Sequence, residues 1–264
     1  MHRLAIFLLC LSSTLVWTAD AQPFTVVSAA SPNIGIAADS LASVFGESIS
    51  SQTVAAASLP WPTMLGDVSV VIVTDSTNRI QNAGILFVSP SQMNIYIPAG
   101  MAPGPATVAF PVTGLPPGAG TAALRVENVN IQKVSPALFS ASGTGSGVAA
   151  AAAVQVAIPS QIQSPVPVFG CDAVKGCAPV PIALGVDTPV YVSLFGTGIR
   201  GAASVTVNIA ATTVQPSYAG PQGQTPGLDQ VNFPLSLGLR GSGLVNVTVT
   251  ADGVTSNAVQ LLIQ

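Results

Sequence analysis

Charge is scarce in this sequence. Seven Lys or Arg and ten Asp or Glu among 264 residues make 6% of the chain, against about 25% in an ordinary globular domain. With a net charge of −3 and no basic stripe, the chain is a poor partner for a nucleic-acid backbone. Histidine is rarer still: His2 is the only one, and it falls in a segment expected to be removed. Without histidine, neither a Ser-His-Asp nor a Cys-His site can be assembled. Histidine-based metal sites and the H-E-x-x-H motif fail with it. The two lysines, Lys133 and Lys175, lie outside any Ser-x-x-Lys setting. Glycoside hydrolysis needs two carboxylates roughly 5–10 Å apart. The only glutamates are Glu47 and Glu127, and no aspartate pair has a suggestive spacing. Both glutamates read as solvated charges. Asp187, Asp229 and Asp252 could each offer one oxygen to calcium, but no run resembles an EF-hand loop, and single carboxylates in turns usually cap their own backbone. The glycine-rich stretch 143–147 lacks the Gly-Lys-Ser/Thr ending of a phosphate loop, so it reads as a flexible turn. The residue inventory thus implies no catalytic residues, no metal and no cofactor.

What is present is apolar and β-branched. The N-terminus comes first, because it bears on compartment. His2 and Arg3 give a short positive start, Leu4 to Trp17 is a nearly unbroken apolar run, and Ala19-Asp20-Ala21 is a small-x-small cleavage pattern. The expectation is a secretory signal peptide over 1–21, cut after Ala21. About fourteen apolar residues are too few to span a bilayer, which takes about 20, and no later stretch reads as a spanning helix. The remaining chain holds Cys171 and Cys177. An even count in an exported protein argues for a disulfide between them. Closing so small a loop contributes about 2 kcal/mol in the chain-entropy model. Two thiolates without histidine make a poor zinc site.

Short β-branched segments recur: Val68–Val73, Met93–Ile97, Val205–Ile209 and Val245–Thr250. Twenty-two prolines and 25 glycines, spread along the chain, leave little room for helices. The alanine run within Val148–Val154 has helical propensity, but its flanks favour a strand. An internal repeat orders these segments. Ser43-Val-Phe-Gly-Glu-Ser-Ile49 matches Ser193-Leu-Phe-Gly-Thr-Gly-Ile199, and Val68-Ser-Val70 matches Val205-Thr-Val207. Phe87-Val-Ser-Pro90 then matches Tyr218-Ala-Gly-Pro221, Gln92-Met-Asn-Ile95 matches Gln230-Val-Asn-Phe233, and Gly104–Val108 matches Gly243–Val247. The openings Val26–Ala29 and Val134–Ala137 correspond as well. The expected fold class is all-β, as two tandem immunoglobulin-like β-sandwiches. The first spans 22–132 and the second 133–264, with an insertion at about 141–188 that carries the cysteines. In each Phe-Gly pair the aromatic is expected to face the core, with glycine allowing a bulge or close backbone approach. Met93/Ile95 and Val231/Phe233 should point the same way.

At these residues the sequence resembles a known family. Pro179–Gly185, Val192–Arg200, Tyr218–Gln224, Pro226–Asn232 and Asp252–Asn257 are similar to the uncharacterised C-terminal domain found in many secreted proteins of soil bacteria. The resemblance covers essentially all of the chain beyond the leader. It implies export and tandem sandwiches of the immunoglobulin-like kind shared with plexins and some transcription factors, and no particular activity. One departure is the ending of a strand, Pro234-Leu-Ser236, where Tyr96-Ile-Pro98 is more regular.

The functional expectation is a secreted or cell-surface, non-catalytic structural or adhesive protein that acts by surface contact. The alternative is an extracellular carbohydrate-binding module. Such modules present exposed aromatics, and beyond the leader only Trp61, Tyr96, Tyr191 and Tyr218 are available besides phenylalanine. The partner class is an extracellular protein or polysaccharide. A candidate ligand site is Tyr218 with Asp229, Gln230 and Asn232, an aromatic beside amides and a carboxylate. The competing reading is that these groups hydrogen-bond a long loop back to its sheet. Arg200 has two readings too, paired with a carboxylate or free in solvent. N-terminal mass spectrometry of exported material should begin at Gln22, and an intact Met1 would refute the leader.

Overall fold

A computed structural model describes residues 23–111 and 124–264. The expected leader lies outside the described residues. The regular secondary structure of the described chain is strand, apart from one short 3-10 turn at Leu237–Leu239. Among the described residues no helix is long and apolar enough to cross a membrane.

Among the described residues, ten strands precede residue 133. They are β1 (Phe24–Ser28), β2 (Ile36–Ala37), β3 (Ser40–Gly46), β4 (Val54–Ala55), β5 (Ile72–Thr74), β6 (Ile80–Asn82), β7 (Gly84–Val88), β8 (Gln92–Ile97), β9 (Gly104–Pro111) and β10 (Leu124–Gln132). They form two five-stranded sheets, ordered β1-β3-β8-β7-β4 and β2-β10-β9-β5-β6. Thirteen follow: β11 (Ala137–Leu138), β12 (Ala151–Val156), β13 (Gln163–Val166), β14 (Phe169–Asp172), β15 (Gly176–Pro179), β16 (Val190–Thr197), β17 (Val205–Ile209), β18 (Thr212–Val214), β19 (Tyr218–Pro221), β20 (Asp229–Pro234), β21 (Gly243–Ala251), β22 (Val254–Thr255) and β23 (Val259–Ile263). One sheet runs β13-β12-β16-β20-β19, with β11 also on β16, and the other β18-β17-β21-β22, with β23 also on β21. Each pair of sheets closes over its own cluster of buried side chains. One extends from Phe24 to Ile131 and the other from Leu138 to Ile263. The chain is therefore all-β and sandwich-like.

Alternation decides which side chains enter each core. On β8, Met93, Ile95 and Ile97 are fully buried while Gln92, Asn94 and Tyr96 are only partly covered. On β20, Val231 and Phe233 are fully buried and Gln230 and Asn232 are not. The two central ladders have like registers. Ser43, Val44 and Phe45 face Asn94, Met93 and Gln92. Ser193, Leu194 and Phe195 face Asn232, Val231 and Gln230. One strand further out, Phe87 faces Asn94 and Tyr218 faces Asn232.

The same alternation corrects the expectation for the Phe-Gly pairs. Val44 and Leu194 point into the cores, so the next residue must point out. Phe45 is 41% exposed and Phe195 half-buried. The glycines do allow close approach. A Cβ on Gly46 would lie 2.9 Å from that of Phe24, and one on Gly196 would lie 2.6 Å from the Ala137 carbonyl oxygen. The expected strand Val68–Val73 is also shorter, because its ladder starts at Ile72. Val68 and Val71 are both buried, and a spacing of three cannot be met by two-residue alternation. The chain is irregular there, and Val68 bridges only Leu65. The alanine run is a strand: β12 buries Ala151 and Ala153 and exposes Ala152.

Within 141–188, β12 pairs with β16 as β1 pairs with β3. β14 and β15 form a separate hairpin in which Cys171 lies directly opposite Cys177, and the two are joined by a disulfide. The hairpin tip is open to solvent, with Val174 93% exposed.

Truncating a core aromatic and an outward one should separate the two faces. Phe233→Ala is expected to cost about 3–5 kcal/mol in urea denaturation, and Phe45→Ala below about 1 kcal/mol. Equal losses would overturn the assignment of faces.

Candidate functional site at the junction of the two halves

Arg200 links the turn between β2 and β3 to the chain entering β20. It follows β16 on a turn whose Gly198 has φ +72°. That glycine lies so close to the Ser135 carbonyl that a Cβ would sit 2.3 Å from its oxygen. The guanidinium donates from Nε to Asp229 Oδ1 at 2.6 Å, from Nη1 to Asp39 Oδ1 at 2.9 Å and from Nη2 to the Leu228 carbonyl at 2.7 Å. Asp229 is fully buried and also accepts from the backbone N–H of Ile199 at 2.7 Å and of Arg200 at 3.2 Å. Asp39 comes from the other half. It occupies the turn between β2 and β3 with φ +53°, a left-handed conformation that Asp tolerates better than most residues. The Tyr96 hydroxyl donates to the same Asp39 oxygen at 2.7 Å.

Neutral contacts reinforce this cluster. Thr197 is buried; its hydroxyl donates to the Gly227 carbonyl at 2.7 Å and accepts from the Leu41 N–H at 2.8 Å. Gly227, at φ +83°, packs against Leu41 and Tyr96 so tightly that a Cβ would lie 2.8 Å from a Leu41 methyl. The stretch 143–147 is pinned. Gly145 lies against Ala30 and Ser31 of the other half, and Asn257 donates to its carbonyl at 2.7 Å.

Electrostatics follow the burial. Burial opposes the charge of Arg200, yet Asp229 and Asp39 hold its pKa above the ordinary value. Burial raises the Asp229 carboxyl, against the pull of the Ile199 and Arg200 N–H groups and the guanidinium. Burial, with the hydrogen bond to Asp39 and its charge, pushes the Tyr96 phenol up to about 12.

The candidate ligand residues divide between two faces. Tyr218, Gln230 and Asn232 share the outward face of β19 and β20, where Gln230 donates to Asn232 Oδ1 at 2.8 Å. Asp229 points the opposite way, into the Arg200 cluster. The Tyr218 hydroxyl donates to the Pro221 carbonyl at the other end of its own strand. The same amide pair occurs on β8, where Gln92 donates to Asn94 at 2.8 Å and Ser43 adds a hydrogen bond at 2.9 Å. The carboxylates considered for calcium are apart in function: Asp252 binds Lys133 at 2.8 Å and the N–H groups of Ala203 and Ser204, and Asp229 binds Arg200. Among the described residues no group of three or more His, Cys, Asp or Glu is arranged to hold a metal.

Sequence reasoning singled out Arg200 and Asp229 but missed Asp39, Thr197 and Tyr96 as their partners. The two that cross between the halves, Arg200 with Asp39 and Leu41 with Thr197, span 161 and 156 positions, and the one local signal was a Gly-Leu-Asp turn that only tight packing requires. Neither a comparison with models of known protein families nor one with curated proteins finds a match to this chain.

Tyr96 reports on the junction through pH. Its folded pKa lies above the ordinary phenol value near 10, so its contribution is present below about pH 10 and lost as pH rises toward about 12. Denaturation across that window should show a fall in stability that Tyr96→Phe reduces, while spectrophotometric titration finds one late phenol missing from the variant. An unchanged alkaline profile would refute the placement.

Proposed function

We propose that this chain is a secreted or cell-surface, non-catalytic structural or adhesive protein acting by surface contact. On this reading it consists of two tandem immunoglobulin-like sandwiches, 22–132 and 133–264, the second elaborated at about 141–188. It belongs with the secreted C-terminal domains it resembles. The observation that carries the proposal is the Arg200 cluster. Its hydrogen bonds to Asp229 and Leu228 anchor Arg200 in its own half, and the one to Asp39 ties that half to the other. A chain of independent modules would have no use for an arginine that is anchored on a buried carboxylate of its own half and reaches a partly exposed one of the other, since holding charge out of water is costly unless geometry is fixed. A rigid two-core body suits the bearing of load or the presentation of surfaces at fixed spacing. The disulfide on an exposed hairpin supports an oxidising, extracytoplasmic setting. The outward faces of both central sheets carry uncharged Ser, Asn and Gln beside aromatics, which supports contact with an extracellular protein or polysaccharide rather than with nucleic acid.

The carbohydrate-binding reading is favoured by one observation, an aromatic recess at the joint, taken up below. Purified protein incubated with envelope and matrix fractions of the producing cells should bind saturably. Arg200→Met should weaken that binding while leaving far-UV circular dichroism unchanged. Protein that stays wholly in solution, or that turns over a component of the fraction, refutes the reading.

A further inference from the structure

A recess of about 300 Å³ lies between the halves, lined by Trp61, Tyr96, Thr63, Asn82 and, from the second half, Pro226. That volume is at the lower end of small-ligand sites, roughly 300–1,000 Å³. The wall is firmly seated. Trp61 lies over Gly84, where a Cβ would fall 2.5 Å from the indole's own Cβ. Ile85 N–H donates to the Pro62 carbonyl at 2.7 Å, fixing the segment against β7. The indole Nε1 donates to the Pro226 carbonyl at 3.4 Å, across the joint. Tyr96 spends its hydroxyl on Asp39, which leaves its ring to form the floor.

From this geometry we infer that the recess binds one ring of a neutral, pyranose-based oligosaccharide. The inference deepens the surface-contact reading by naming a surface chemistry, and it rests on that reading for the setting. No lining side chain carries a charge. A uronate or phosphate would meet no charged side chain in the wall, and the Arg79 guanidinium behind Gln81 is engaged with that side chain and with the Gly100 carbonyl at 2.9 Å, so its desolvation would go uncompensated within the recess. Aromatic rings offer flat apolar surface to the C–H face of a sugar. At the rim, Asn82 and Thr63 are exposed. A carboxamide and a hydroxyl each provide both donor and acceptor capacity, as sugar hydroxyls do. A proline-rich strand would also lie on aromatic walls. Its proline residues lack N–H donors, so the acceptor oxygens at the rim would lose their partners.

Isothermal titration of the full chain with cellohexaose and maltohexaose, beside hexagalacturonate and a proline decamer, tests this. At least one neutral hexaose should bind saturably. Trp61→Ala should weaken it by about tenfold or more, as truncating a central aromatic anchor does. Trp61→Phe should restore part of the loss, and Asn82→Ala, at an exposed position, should weaken binding without lowering the thermal midpoint. No binding of either neutral hexaose, preference for the uronate or the proline decamer, or binding indifferent to both Trp61 and Asn82 would overturn the inference. If envelope association persists while both hexaoses fail, the recess assignment falls and the surface-contact reading stands.

Discussion

The structure depends on one planar cation held between two carboxylates from different halves. A guanidinium presents its donors in a fixed fork, and here the fork spans Asp229, the Leu228 carbonyl and Asp39. Each carboxylate has a second hold: Asp229 accepts from the Ile199 and Arg200 N–H groups, and Asp39 from the Tyr96 hydroxyl. A lysine could neutralise either charge but could not span all three acceptors in a plane. Breaking such a pair from one side typically costs more than replacing it whole, because it leaves a buried charge alone. Asp229 is the member at risk, since it has no exposure at all.

Around that cation, sequence and packing divide the work. The cores are made by alternation: residues such as Val44, Met93, Leu194 and Val231 are buried because their neighbours on the strand are not. The glycines that matter are at close approaches. Gly196 and Gly227 let the Ala137 and Leu41 segments come nearer than any Cβ would permit. Both sit beside Arg200 or its partners. The tightness of the joint is therefore written into positions that look, in the sequence, like ordinary turn residues.

Much of the fold was legible in advance. Four of the expected strand segments carry ladders, and the alanine run proved a strand because β-branched flanks and glycines outweighed helical propensity. The disulfide followed from parity and compartment. What failed was local. A Phe-Gly pair says nothing about which face the aromatic takes until the register of Val44 or Leu194 is known. Three valines at 68, 71 and 73 look like a strand yet cannot all face inward on one. The site was less legible than the fold. Asp229 reads equally well as a ligand contact or as a structural anchor, and the choice is made by Ile199 and Arg200, which fold back onto it from the turn after β16. The stretch 143–147 reads as loose, and only contact with Ala30 and Ser31 shows it to be fastened.

The uncharged amide ladders have a consequence for the environment this surface can tolerate. Ionic screening acts on charges, and the partly exposed Gln92, Asn94, Ser193, Gln230 and Asn232 have none. None of them titrates near neutrality. A contact made through these faces would keep its strength from dilute to briny water and across several units of acidity, where an attachment built on ion pairs would let go.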